Sequence, residues 1–375
     1  MKVFQVANIY PAHLARLGPA LSQCDGADAA TAMILADVPQ AQILAPCIGD
    51  NPDGQLCFPQ HQDGLRLWAL SRGMPQDTSA DDILLAQIEE HGADVFYSTN
   101  ATRHSKIFLG RMPGCVRLKI GWLGSEIVGT GVHHFDAIVS NFPTLNANHA
   151  KAGLRTYYLS PSYETQTDVT GYVPWPERRC DLFFAGTYSR HHQKRARLIE
   201  DVSRTAANQS FSADFRLLNS RHTRLAETTP LGLFPPFSKV RRPLSVRRFA
   251  KPPTFGRDMF DLLGNARIVL NMAIDIAGRD RGNMRCFETL SAGALMISDE
   301  GDYPDGFVDG ETHVTYRDTD GALARVQHYL NKPEKAATIA RAGWDMIRQR
   351  YSKARQWQDF VTLVGSLGSV RGKSS

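Results

Sequence analysis

The chain has 375 residues, of which 42% are apolar and 22% charged, with a formal net charge of +5. A chain of this length is too long for a single hydrophobic core, so two domains are expected. The composition is that of a soluble globular protein. No apolar run approaches the roughly 18 residues of a transmembrane helix. The six cysteines are scattered without a CxxC pair, which argues against a zinc site and indicates reduced thiols. The start, MKVFQVANIY, enters a strand pattern without a signal-peptide core, so a cytoplasmic protein is expected.

Strands and helices alternate through the first half of the chain. The pattern begins with an apolar strand over 3–7 and a helix from about His13. A second helix is predicted over 81–91, because Ser79 can cap it and apolar residues recur at helical spacing. Further strands are predicted over 94–98, 116–121, 137–140 and 156–159. Such a series predicts an α/β fold with a mostly parallel sheet covered by helices.

A proline-rich segment over 160–179 is the predicted linker, after which the alternation restarts. The stretch over 220–256 is rich in Pro and Arg and is predicted to be an irregular, functional loop. Three helices are expected near the end, from about 319, 333 and 352. The expected organisation is an N-terminal domain over 1–165, a second domain over 176–345, a helix over 346–367 and a disordered tail over 368–375.

The stretch from Ile268 to Asp299 predicts strand, polar loop, helix, tight turn and strand. Loops of this kind lie at the carboxyl ends of the strands of an open sheet, where ligands bind. Cationic side chains beside a helix N-terminus suit a diphosphate, and Arg285 is one candidate; pairing with Asp280 or Asp275 is the alternative. The Glu288 carboxylate suits the cis-diol of a ribose, because it can accept hydrogen bonds from both hydroxyls. The alternative for Glu288 is a helix-end carboxylate favoured by the dipole.

The turn over 186–192 also follows a strand and opens a helix. Gly186 allows close approach of the backbone to a ligand, Thr187 or Ser189 can donate hydroxyl hydrogens to phosphate, and His192 adds positive charge. The simpler explanation for the positive side chains on the following helix is that they form an exposed helix face. Trp122, Trp175 and Tyr188 are candidates to stack on a sugar or base, with core packing as the alternative.

Lys239 to Lys251 carries six basic residues and no acid. A solvated surface loop is one interpretation, and a patch for an anionic acceptor, a phosphate-bearing ligand or a membrane surface is the other. Nucleic acid is not an expected partner, because the run lacks interleaved aromatics and the chain shows no known binding module.

Three stretches resemble the CgeB-like glycosyltransferases: DMFDLLGNARIVLNMAIDIAGRDRGNMRCFETLSAGALMISDE, FAGTYSRHHQKR and YLNKPEKAATIARAGWDMIRQRYS. The resemblance implies a GT-B fold, which has two Rossmann-like domains facing each other and a C-terminal helix that packs back on the first. It also implies transfer of a sugar from a nucleoside-diphosphate sugar to an acceptor. The donor is a substrate, and no cofactor is expected.

Related GT-B enzymes carry an acidic residue, seven intervening residues and a Glu at the nucleotide-sugar site. The matching positions are Asp280 and Glu288, so the resemblance implies that Glu288 binds the donor ribose and places Asp280 at the transferred sugar. Asp280 departs from the usual Glu at its position. Asn283 and Arg285 precede Glu288 and complete the expected donor site.

Catalysis is expected without a metal ion, with retention weakly favoured over inversion. Glu126 and His13 follow strands and are the candidates for a general base if the reaction inverts. The acceptor is open among glycans, lipids, proteins and small molecules, and contact with a membrane surface is one option. Two rival functions remain at this point: a GT-B sugar-nucleotide epimerase or hydrolase, and a non-catalytic nucleotide-sugar-binding subunit.

Overall fold

The computed structural model describes residues 1–127, 131–190, 192–209, 211–273 and 278–371. These residues form two compact units. Of the described residues, the first unit holds 1–162, 278–280 and 351–371, and the second holds 163–273 and 281–350. Among the described residues, none of the helices combines the length and the apolar character that a membrane-spanning segment requires.

The first unit is built on a six-stranded parallel sheet in the order β2-β1-β3-β4-β5-β6. The strands β1, β3 and β5 are buried along their whole length, as expected for a sheet covered on both faces. The six strands are β1 Val3–Val6, β2 Gly54–Cys57, β3 Val95–Ser98, β4 Leu118–Trp122, β5 Ala137–Ser140 and β6 Thr156–Tyr158.

Six helices connect these strands, and a seventh arrives from the far end of the chain. The connecting helices are α1 Pro11–Leu21, α2 Ala27–Leu35, α3 Gln62–Ser71, α4 Ala80–His91, α5 Lys106–Gly110 and α6 Pro143–Lys151. Helix α4 follows its sequence signals closely: Ser79 accepts a hydrogen bond from the Asp82 N–H, and Gly92 ends the helix at φ +66°.

The last helix, α14 Lys353–Arg371, belongs to the first unit. Its residues Phe360, Leu363 and Leu367 are buried in the same core as strand β1. The Lys353 ammonium donates to the Ile43 carbonyl at 2.6 Å, which fixes the start of the helix. A C-terminal helix that packs on the first domain is therefore confirmed.

The second unit has a parallel sheet in the order β12-β11-β10-β7-β8-β9. Its strands are β7 Cys180–Gly186, β8 Ala213–Leu217, β9 Ala250–Lys251, β10 Ala266–Leu270, β11 Leu295–Asp299 and β12 Val314–Tyr316. Its helices are α7 Gln193–Gln209, α8 Arg221–Thr228, α9 Leu244–Phe249, α10 Gly256–Asn265, α11 Met284–Ser291, α12 Thr319–Leu330 and α13 Pro333–Arg350. The expected α/β class with parallel sheets is confirmed.

Two segments differ from expectation. The predicted linker over 160–179 is instead packed into the second unit from residue 163 onward. Arg178 in this segment is 2% exposed and donates to the carbonyls of Val173, Ala266 and Ala292. The stretch over 220–256 is not an irregular loop, because it contains α8, α9 and β9.

Candidate functional site

The order of the second sheet reverses between β7 and β10, which lie side by side. The chain winds outward from β7 in one direction and from β10 in the other. In open α/β sheets, ligands bind beyond the carboxyl ends of the strands at such a reversal. The turn after β7 and the loop after β10 both leave the sheet at this point, so the two predicted donor loops meet there.

Helix α11 begins at the end of the β10 loop and carries the Arg285–Glu288 pair. The Arg285 Nη1 and Glu288 Oε2 atoms lie 2.8 Å apart, and the two side chains are 18% and 12% exposed. Nη1 is buried without an aligned hydrogen bond among the described residues, although it lies close to the carboxylate. Arg285 therefore pairs with Glu288 rather than with Asp280, and Asp275 lies outside the described residues.

Asn283 precedes α11 and is held by an amide pair. The Asn271 and Asn283 side chains exchange hydrogen bonds of 3.0 and 3.1 Å, and Asn271 also donates to the Ser298 hydroxyl at 3.0 Å. The Tyr316 hydroxyl donates to the Asn271 carbonyl at 2.8 Å. Both side-chain ends of Asn283 are thus engaged within the protein, and the pair fixes where α11 starts.

Two further cations brace the loop after β10. Arg281 forms an ion pair of 2.8 Å with Asp299, whose other oxygen accepts from the Ala273 N–H at 2.9 Å. Arg195 on α7 donates to the Met272 carbonyl at 2.8 Å, so it is not simply part of an exposed helix face. The bracing residues Asn271 and Asp299 were missed from sequence, because their partners are distant along the chain.

Asp280 is 4% exposed and lies in the first unit, where it caps α6. Its carboxylate accepts from the Thr144 N–H at 2.6 Å and from the Thr144 hydroxyl at 3.0 Å. The residue before α6, Phe142, has no capping side chain of its own. Asp280 therefore neutralises the N-terminus of α6, which a carboxylate is well suited to do.

The turn after β7 combines exposed and buried residues. Gly186 ends the strand and is exposed, as are Thr187 and His192, while Ser189 is half-buried. The Gly186 carbonyl accepts from the Leu218 N–H at 3.0 Å, and the His192 N–H donates to the Ser189 carbonyl at 3.0 Å. The turn is thus shaped by backbone bonds that leave its glycine and threonine facing solvent.

The three aromatic candidates for stacking are core residues. Trp122, Trp175 and Tyr188 are between 5% and 6% exposed and belong to the two main cores. The Tyr188 hydroxyl donates to Glu200 at 2.5 Å, and burial raises the Tyr188 pKa. The packing interpretation holds for all three.

The two predicted bases of the first unit lie in different surroundings. His13 on α1 is 2% exposed, and its Nε2 lies 2.6 Å from an oxygen of Asp37, which also pairs with Arg16. Glu126 follows β4 and is exposed, and the stretch 128–130 just after it lies outside the described residues. His13 is thus enclosed, whereas the Glu126 carboxylate is open to solvent.

Within the described ranges, no group of three or more His, Cys, Asp or Glu side chains is close enough to hold a metal ion. Catalysis without a metal ion stays a prediction.

Residues 236–362 match the family model described as glycosyl transferase-like. The matched range includes α11 with its Arg285–Glu288 pair, so the match and the geometry coincide on the same helix. This part of the chain is glycosyl transferase-like. No curated protein matches the chain in sequence.

Solved structures of glycosyltransferases share the fold of the chain. HepE from Anabaena, in complex with UDP-glucose, has a TM-score of 0.57 at 12% identity, covering 98% of this chain and 100% of that one. A glycosyltransferase from Rickettsia africae has a TM-score of 0.55 at 9% identity, covering 98% of both chains. TarM has a TM-score of 0.52 at 10% identity over 76% of this chain, which spans only 58% of TarM.

Identities this low show the fold alone, and that fold is GT-B. The expected GT-B fold is confirmed, and the matched domain confirms the expected glycosyltransferase class.

Proposed function

We propose that this glycosyltransferase uses a uridine-diphosphate sugar as donor and binds it at the sheet reversal of the second unit. One observation carries the proposal: the Arg285–Glu288 pair stands on α11, beyond β10 and within the glycosyl transferase-like range. HepE, which shares the fold, was solved with UDP-glucose, and this supports uridine as the base.

Glu288 is proposed to bind the ribose of the donor. Its side chain is 12% exposed, so hydrogen bonds from two hydroxyls form in surroundings where a carboxylate is a strong acceptor. The ion pair with Arg285 is formed by Oε2, and Oε1 is not part of it. The carboxylate therefore keeps capacity for a diol while its charge is balanced.

Arg285 and the turn after β7 are proposed to bind the diphosphate of the donor. Its Nη1 is buried without an aligned hydrogen bond, so an anion can supply that bond without breaking another. Thr187 and Ser189 are the proposed hydroxyl donors to phosphate, Gly186 allows close approach, and His192 adds positive charge when protonated. Asn283, by contrast, is proposed to position α11 through its bond to Asn271.

In the reaction, the bond between the anomeric carbon and the diphosphate oxygen breaks, and a glycosidic bond forms to an acceptor oxygen that loses its proton. If the reaction inverts, Glu126 is the candidate base that takes this proton, because its carboxylate is exposed and follows a strand of the first sheet. The burial of His13 against Asp37 favours a structural role there. Asp280 is proposed to act through α6 rather than directly on the sugar.

The same proposal includes three further points: the enzyme is CgeB-like, it weakly favours retention, and it is cytoplasmic. One observation supports a rival without catalysis: Asp280, at the position next to the transferred sugar in related enzymes, is engaged by Thr144. A nucleotide-sugar-binding subunit would retain Glu288 and dispense with that carboxylate.

Product analysis with purified chain separates these functions. Incubation with UDP-glucose and UDP-N-acetylglucosamine, with and without candidate acceptors, should release UDP faster when the right acceptor is present. If the reaction inverts, Glu126→Gln should lower kcat by about 10²-fold or more with little change in KM for the donor, as expected when a general base is lost. Epimer formation from donor alone would contradict the transferase, and donor binding without any turnover would support the subunit.

A further inference from the structure

The segment from Leu218 to Lys251, here called the cationic apolar surface, concentrates the positive charge of the protein. It holds eight Lys and Arg residues and a single acid, Glu227. The rest of the chain has 35 basic and 37 acidic residues, so the entire net excess of +5 comes from this segment. A local imbalance of this size creates a strong positive potential at one place on the surface.

Part of this charge holds the segment together. Arg242 is buried and forms a two-point contact with Glu227, with 2.9 Å between Nη2 and Oε2, and Arg247 lies 3.8 Å from the same carboxylate. Lys251 pairs with Asp214 at 2.8 Å. The remaining exposed Lys and Arg residues form no ion pair with an acid in the described structure; they are Arg221, Arg224, Lys239 and Arg248.

The same segment exposes large apolar side chains. Leu244 is 80% exposed, Leu233 is 65% and Phe234 is 63%. Leu218, Leu225 and Leu231 add to them, so six of the fourteen exposed large apolar residues described lie within 27 positions. Single exposed apolar residues are ordinary on a protein surface, but such a concentration marks an interaction site.

These side chains lie on a compact structure rather than on a loose loop. The His222 ring on α8 lies 5.9 Å from that of Phe237, and Gly232 packs so closely on Ala226 that an added Cβ would lie 1.8 Å from its carbonyl oxygen. The Arg247–Glu227 contact joins α9 to α8. The interpretation of Lys239 to Lys251 as a solvated surface loop is therefore not supported, because this range contains α9 and β9.

We propose that the cationic apolar surface docks the enzyme on an anionic membrane. Cations alone would suit any polyanion, but exposed leucine and phenylalanine side chains gain from burial only against an apolar surface, which the hydrocarbon of a bilayer supplies next to its anionic headgroups. Lys and Arg beside such side chains complement the negative surface potential of a bilayer. The inference goes beyond sugar transfer and does not depend on the donor assignment.

The test is co-sedimentation of the full chain with two kinds of vesicle: phosphatidylcholine alone, and phosphatidylcholine with about a third phosphatidylglycerol. The charge variant is Arg221→Gln with Arg224→Gln and Lys239→Gln, and the apolar variant is Leu233→Ser with Phe234→Ser. Matched controls remove similar exposed groups elsewhere: Arg325→Gln with Lys332→Gln and Lys335→Gln, and Leu70→Ser with Ile107→Ser.

The wild type should bind the anionic vesicles only, and added salt should weaken binding. The charge variant should bind roughly 100-fold more weakly, since each of three cations near the surface contributes about fivefold. The apolar variant should also lose binding, while both controls match the wild type. UDP affinity, measured by calorimetry, should be unchanged in the docking variants, which separates this proposal from the donor assignment.

Three results would overturn the proposal. The first is no sedimentation of the wild type with anionic vesicles, and the second is equal binding to both kinds of vesicle. The third is loss of binding in the charge variant with full binding in the apolar variant. Together with capture of the wild type by heparin, that result would assign the surface to an anionic polymer such as a charged glycan acceptor.

Discussion

Removal of the Glu288 carboxylate tests the donor site most directly. A hydrogen bond to a charged group is worth about 1.5–3 kcal/mol, and the cis-diol offers two. Glu288 also balances Arg285 at 2.8 Å, and Arg285 freed from the carboxylate can bind phosphate more strongly, which offsets part of the loss. We therefore expect Glu288→Ala to weaken UDP binding by about 2–3 kcal/mol, or roughly 30- to 150-fold.

Calorimetry of the wild type and of Glu288→Ala, each with UDP and with 2′-deoxy-UDP, gives a double-perturbation cycle. The cycle isolates the contribution of the contact between Glu288 and the 2′-hydroxyl. The wild type should lose affinity when the 2′-hydroxyl is absent, whereas Glu288→Ala should bind both nucleotides equally. Glu334→Ala removes an exposed carboxylate on α13 and serves as the control. If removal of the 2′-hydroxyl weakens binding to Glu288→Ala as much as binding to the wild type, Glu288 does not bind the ribose.

Three further predictions concern stability and its dependence on pH. Asp280→Ala should destabilise the chain by about 1–2 kcal/mol through loss of the α6 cap, lowering Tm by roughly 2–8 °C; an unchanged Tm would refute the capping role. Arg178→Met should destabilise by about 3–5 kcal/mol in urea unfolding, because its buried carbonyl partners lose their donor, and a cost below about 1 kcal/mol would contradict this. Burial lowers the His313 pKa from 6.5 to about 4, so the neutral form is favoured in the fold. Stability should thus be full above pH 6.5 and fall by up to about 3 kcal/mol towards pH 4, a decline that His313→Phe should reduce; an identical pH profile for that variant would refute the assignment.

The fold was largely predictable where local signals agree. Ser79, the apolar spacing of α4 and Gly92 each indicate the same helix, and the structure has it over Ala80–His91. Strand β2 was missed because GQLC is short, edge-located and half-buried at its start, so it carries no clear alternation. Helices α8 and α9 were missed because prolines and arginines dominate their surroundings.

The donor site was predictable only as a location. The strand–loop–helix pattern placed Glu288 and Arg285 together on α11, and the structure has them there. The role of a single side chain depends on partners that sequence spacing does not reveal. Asp280 caps a helix through Thr144, 136 residues away, and Asn283 is bound by Asn271 from the preceding strand end.

The return of α14 to the first unit has a consequence for biosynthesis. The core that contains β1 also needs Phe360, Leu363 and Leu367 of α14. Synthesis of the first unit therefore begins first, but its core can be completed only after α14 has been made. Until α14 leaves the ribosome, the apolar surface that it covers stays open to solvent while the second unit can already fold. Domains usually fold in the order of their synthesis, and here that order is reversed for one of the two.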